Sequence, residues 1–201
     1  MIKLAEARKS LAYHFTQPAV RLLAKAPVTP NFISWFGFLV TAGAAALIIT
    51  GHFFAAGLVV LVAGFFDILD GALARSTNRV TRFGGVLDST LDRLSEAVLL
   101  LGIMLLYAER QSVGGIMVAG VALVGSLMVS YVRARVEGIG LECPVGLFTR
   151  SERVVVLVLG LLVNQLIIAL SIIMVFSYIT VGQRLIYAWR QTKTQINLGG
   201  E

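Results

Sequence analysis

Residues 67–92 read DILDGALARSTNRVTRFGGVLDSTLD, and they place four aspartates, Asp67, Asp70, Asp88 and Asp92, inside a chain that is otherwise mostly apolar. A carboxylate in a membrane segment is costly, so such residues mark a functional site by default. Asp67 and Asp70 are three residues apart, and Asp88 and Asp92 are four apart. Each pair therefore lies on one face of a helix. Two such helices side by side aim four carboxylates at one point.

Working outward, the 201-residue chain is 57% hydrophobic and only 14% charged, with a mean hydropathy of +0.85. Soluble domains are nearer a quarter charged, so the class is integral membrane and all-α. The N-terminus shows no cleavable signal peptide pattern, since Lys3, Glu6, Arg8 and Lys9 interrupt its apolar residues. The single cysteine, Cys143, excludes an intrachain disulfide and argues against a thiolate metal site. The net charge of +6 suits an anionic lipid surface, and no nucleic-acid partner is expected.

Residues 1–27 form an amphipathic juxtamembrane segment, read as a helix lying in the interface and interrupted near Pro18. The VTPN turn at 28–31 follows, with Asn31 as candidate cap. Six spans are then predicted, at 31–50, 54–75, 84–108, 113–138, 149–164 and 166–190, in a single membrane domain whose core is 28–192. The apolar stretch 153–182 is too long for one crossing, and Asn164-Gln165 supplies a polar break. Short links force antiparallel neighbours and hence a six-helix bundle. Six crossings put sixteen of the seventeen Lys and Arg residues on one side, leaving Arg110 on the other. By the positive-inside rule both termini, and the four aspartates, lie at the cytoplasmic face of the cell membrane. Residues 193–201 are expected to be a disordered tail. His14 and His52 lack sequence partners for a metal role. Trp35 and Trp189 suit interface belts. Gly102, Gly114, Gly120 and Gly125 suit close helix packing.

Four converging carboxylates repel one another and need a positive partner. Oxygen-only ligands favour hard cations such as Mg2+, Mn2+ or Ca2+. Four can bridge two ions, an arrangement suited to phosphoryl chemistry. Gly71, Gly84 and Gly85 let helices and a ligand come close, and Arg75 lies one turn beyond Asp70 where it can meet a phosphate. A plain interfacial salt-bridge network with Arg75, Arg79, Arg82 and Arg93 is the alternative, and it explains the glycines less well.

The segment fits D-x2-D-G-x2-A-R-x8-G-x3-D-x3-D at every fixed position: Asp67, Asp70, Gly71, Ala74, Arg75, Gly84, Asp88 and Asp92. It thereby resembles the CDP-alcohol phosphotransferases, integral membrane enzymes that transfer a phosphatidyl-type group from a CDP-linked lipid to an alcohol and release CMP. The resemblance implies Asp67, Asp70 and Asp88 as metal ligands. Asp92 becomes the general base, which also touches the second of two Mg2+ (or Mn2+) ions. It implies a CDP-diacylglycerol site shaped by Gly71, Ala74, Arg75 and Gly84, with Asp70 and Asp88 beside it. Asn31, on the same side, is added as a candidate for that pocket. It also implies a homodimer among membrane lipids.

A second basic constellation, Arg133, Arg135, Arg150, Arg153 and Arg184, sits at the ends of spans four, five and six. Arg150 and Arg153 open a helix, where the dipole disfavours cations, so they are expected to answer an anion such as an acceptor phosphate. DSTLDR and these segments resemble the phosphatidylinositol phosphate synthases of bacteria and their archaeal archaetidylinositol counterparts. Inositol 1-phosphate is then the implied acceptor, with Arg133, Arg153 and Arg184 first in line to bind it and Arg135 and Arg150 behind. Glycerol 3-phosphate, used by phosphatidylglycerol phosphate synthases, is the runner-up, and a CDP-archaeol lipid the alternative donor. A divalent-cation carrier is the non-enzyme alternative, disfavoured because the acids lie at one face only. A structural lipid-binding protein would need no base.

Overall fold

The computed structural model describes Val20 and residues 28–198, with side chains to Lys193. The proposed interfacial helix at 1–27 thus lies outside the described residues, Val20 and the turn to the first helix apart. Among the described residues there are six α-helices and no strand. They are α1 (Pro30–Ile49), α2 (Phe53–Ser76), α3 (Arg82–Glu109), α4 (Val113–Gly138), α5 (Arg150–Leu162) and α6 (Leu166–Leu198).

Local chemistry sets their ends. Thr29, not Asn31, caps α1, its hydroxyl accepting from the Phe32 N–H at 3.3 Å with Pro30 in the first turn. Asn31 is thereby released to face a cavity. Thr81 caps α3 through the Gly84 N–H at 2.9 Å. A Thr149–Glu152 capping box opens α5. Asn164 adopts φ 56° at the polar break between α5 and α6. α6 runs as helix to Leu198, beyond the point where apolar patterning ends and a disordered tail is expected from sequence.

Four helices, α1, α2, α4 and α6, are long and apolar enough to cross a membrane. α3 has 28 residues but carries Asp88, Asp92, Arg93 and Glu96 within its first fifteen. α5 has 13 residues, about 20 Å at 1.5 Å per residue, short of a hydrocarbon core. α1 packs on α2 and α3, α4 on α3 and α6, and α5 on α2 and α6. Ala45, Ile48, Val60, Leu100, Ile103, Leu161 and Leu170 fill the centre. Leu39, Leu61, Leu101, Val124, Leu159 and Val175 face outward, as expected where lipid replaces water. Close approach occurs at Gly102, where an added Cβ would sit 3.2 Å from Ala45, and at Gly125, 3.0 Å from the Tyr178 ring. Gly114 has open space beside it.

Candidate active site

The motif aspartates split into three and one. Oxygens of Asp67 on α2 and of Asp88 and Asp92 on α3 lie within 4.8 Å of one another. Asp70 is buried at 4% exposure and accepts a 2.5 Å hydrogen bond from the Ser34 hydroxyl of α1. Three converging carboxylates, with no nitrogen or sulfur donor among them, fit a hard divalent cation. The site also attracts positive charge from the protein. Arg150 Nη1 on α5 lies 2.8 Å from Asp67 Oδ2 and 2.6 Å from Asp92 Oδ1. The guanidinium meeting the triad is therefore Arg150, which sequence assigned to a different ligand, and not Arg75, Arg79 or Arg82.

All three aspartates of the triad line a cavity that runs from Arg150 and Arg153 into the apolar core at Val60, Leu100 and Leu157. Two further cavities open beside the triad, with α3 contributing to both. The first, about 260 Å3, is lined by Asn31, Asp70, Gly71, Ala74, Arg75, Gly84 and Asp88, together with Ser34, Arg79 and Thr81. It gathers all seven residues that sequence connects with the donor. The glycines make room in it: a Cβ at Gly71 would stand 3.2 Å from Arg75 Nη1, and one at Gly84 2.9 Å from Thr81 Oγ1.

The second cavity, about 430 Å3, is lined by Ser89, Asp92, Glu96, Ser130, Arg133, Glu137, Arg150, Ser151, Arg153 and Arg184. Of the triad, Asp92 alone faces it. Four of the five predicted arginines meet here. Arg135 does not line it. Two residues along a helix is a turn of about 200°, so Arg133 and Arg135 cannot share a face.

The cations of this second cavity already have partners. Arg153, 1% exposed, grips buried Glu96 with both ends of its fork, Nε at 2.6 Å and Nη2 at 2.7 Å. Arg184 donates from Nε to the Val145 carbonyl at 3.0 Å and from Nη1 to the Val129 carbonyl at 2.5 Å. Arg133 Nε bonds Glu137 Oε1 at 2.7 Å on the exposed rim. The 139–148 loop, whose Cys143 and Pro144 have no evident role in sequence, is pinned against α4 and α6. Cys143 is buried with Val132 and Val136. The Leu147 and Phe148 N–H groups donate to Gln183 and Thr180, both at 3.1 Å. Gly146, at φ 143°, lets the backbone lie against Arg184, where a Cβ would be 2.9 Å from Nη2.

Sequence reasoning missed Ser34 and Glu96, and named Arg79 only as a salt-bridge partner and not as part of the donor cavity. Glu96 had a signal, because it extends the Asp88, Asp92 stripe by one more helical turn. Ser34 is the first polar side chain after Asn31 in an apolar run, a weaker mark.

With this geometry in hand, residues 27–186 match the family model for CDP-alcohol phosphatidyltransferase. The archaetidylinositol phosphate synthase of Methanothermobacter thermautotrophicus is 40% identical over 169 residues, covering 81% of this chain and 84% of that one. The crystal structure of Mycobacterium tuberculosis phosphatidylinositol phosphate synthase with CDP-DAG bound superposes with a TM-score of 0.82 at 32% identity, covering 88% of this chain and 94% of that chain. The same mycobacterial protein in complex with manganese and citrate gives a TM-score of 0.79 at 32% identity, over 87% of this chain and 88% of that chain.

Proposed function

The chain belongs to the CDP-alcohol phosphatidyltransferase family, and from that premise we propose that it transfers the phosphatidyl group of CDP-diacylglycerol to inositol 1-phosphate, giving phosphatidylinositol phosphate and CMP. The observation that carries this reading is the pair of cavities on either side of the carboxylates, one reached by Asp70 and Asp88 and the other by Asp92. A two-substrate transfer needs two such chambers meeting at one reacting atom.

In this reading Asn31, Gly71, Ala74, Arg75 and Gly84 cradle the cytidine diphosphate portion of the donor, with Arg79 close enough to share its charge. Asp67, Asp88 and Asp92 would hold the divalent cation, Mg2+ or Mn2+, and Asp70 would be the fourth carboxylate of a two-ion set. Bound there, the metal offsets the charge of the pyrophosphate and of the departing CMP. Asp92 faces the acceptor chamber and takes the proton of the attacking hydroxyl. The new bond forms between that hydroxyl oxygen and the lipid-side phosphorus. The bond from that phosphorus to the CMP oxygen breaks, and CMP carries off the electron pair. Arg133, Arg150, Arg153 and Arg184 place the acceptor phosphate, the last two as rigid walls because their hydrogen bonds fix them.

We also propose that all six helices cross the membrane, α5 as a short span, with both termini and both chambers cytoplasmic. The one-sided distribution of Lys and Arg supports this orientation. A homodimer rests on the family resemblance, and chemical cross-linking in membranes tests it. The test of the reaction is CMP release by purified protein with CDP-diacylglycerol and, in parallel, inositol 1-phosphate, glycerol 3-phosphate, free inositol and serine. Inositol 1-phosphate is expected to support turnover. Turnover with free inositol or serine but with neither phosphorylated acceptor defeats the reading.

A further inference from the structure

We propose that Arg150 is a movable counter-ion that couples cation binding at Asp67 and Asp92 to anion binding in the acceptor cavity. This deepens the function proposed above and rests on it only for the identity of the anion. Arg150 is held by its tip. Nη1 bridges the two aspartates at 2.8 and 2.6 Å, while Nε is buried without a hydrogen-bond partner. The same side chain lines the 430 Å3 cavity that Asp92 shares. Its backbone is fixed by the Thr149–Glu152 capping box, so any relocation is confined to the side chain.

Its two buried neighbours in that cavity lack this freedom. Arg153 is locked on Glu96, and Arg184 on two backbone carbonyls. Among the arginines of that cavity, Arg150 alone forms ion pairs with the triad, through Asp67 and Asp92, two of the three carboxylates suited to a divalent cation. A guanidinium and a divalent cation on the same two carboxylates repel strongly in a partly buried site. When Asp67 and Asp92 take the cation, Arg150 loses both partners, and its fork matches the oxygens of a phosphate in the adjoining cavity. Linkage makes the effect reciprocal: a phosphate that draws Arg150 away raises cation affinity by the factor by which the cation raises phosphate affinity.

The test is Mn2+ titration of the full chain in detergent, followed by electron paramagnetic resonance without lipid donor. Arg150→Gln is expected to bind Mn2+ about tenfold more tightly than wild type, within the usual range of site coupling, with Arg150→Lys between them. Adding inositol 1-phosphate is expected to tighten Mn2+ binding about tenfold in wild type and less than about twofold in Arg150→Gln. Unchanged or weaker Mn2+ binding in both variants overturns the proposal, as does an acceptor effect equally large without Arg150. If Arg150→Gln does not fold, Arg150→Lys and the wild-type acceptor effect decide by the same criteria. Inorganic phosphate and glycerol 3-phosphate run as further probes. If they tighten Mn2+ binding and inositol 1-phosphate does not, the counter-ion role stands and the acceptor assignment falls. Absence of CMP release by wild type defeats the transferase reading while leaving the Mn2+ comparison intact.

Discussion

The two cavities beside α3 are built on opposite plans. The donor side draws on α1, α2 and the start of α3, and its arginines, Arg75 and Arg79, line open space. The acceptor side draws on α3 to α6, and its arginines are engaged: Arg153 with Glu96, Arg184 with carbonyls, Arg133 with Glu137 and Arg150 with the triad. A nucleotide diphosphate brings enough charge to organise flexible cations around itself. A small phosphorylated alcohol offers few contacts, and walls fixed beforehand at Arg153 and Arg184 reduce the ordering cost of binding it, with Arg150 the one part proposed to move.

The sharpest break between the two sides is Asp92→Asn. It should reduce CMP release about a thousandfold, within the usual worth of a general base, while CDP-diacylglycerol still binds. Turnover and donor binding measured on the same preparation check this. Retained activity would remove Asp92 as the base. Next, Glu96→Ala strands the Arg153 charge in a buried place and should cost about 3–5 kcal/mol of stability, seen as a lowered unfolding midpoint in detergent. Replacing the pair together, Glu96→Leu with Arg153→Met, should recover much of that stability and leave acceptor KM high. A third comparison pits Arg184→Lys against Arg75→Lys. The first should raise acceptor KM about tenfold with donor KM unchanged, and the second the reverse, since a point charge replaces a planar fork in each. The smallest effect belongs to Arg135→Ala, which should move acceptor KM by less than about twofold, as expected for an exposed site away from the cavity.

The same contrast explains what was legible in the sequence. Asp67, Asp70, Gly71, Ala74, Arg75, Gly84, Asp88 and Asp92 lie within 26 consecutive residues, and helical periodicity turns their spacing directly into shared faces. The break between α5 and α6 was legible at Asn164-Gln165, where a polar pair interrupts an apolar run, whereas the cap of α1 is Thr29 and not Asn31. The partners of Arg153 and Asp70 were not legible. Glu96 lies 57 residues from Arg153, and Ser34 lies 36 from Asp70. Spacing within one helix says nothing about which side chain a different helix presents. Arg135 does not line the acceptor cavity, because a residue two positions after Arg133 must face away from it. Arg150 was assigned to an anion although its nearest groups in the folded chain are carboxylates, a pairing across 83 residues.

α3 presents Asp88 to one chamber and Asp92, one helical turn on, to the other. Asp88 and Asp92 share one face of that helix, so in the proposed reaction the entering and departing oxygens reach the phosphorus from the two ends of one carboxylate-lined wall. A single displacement across such a wall turns the phosphorus inside out, so a donor made chiral with isotopic oxygen or sulfur should yield product of inverted configuration. Retention would require the phosphatidyl group to rest on the protein between two displacements.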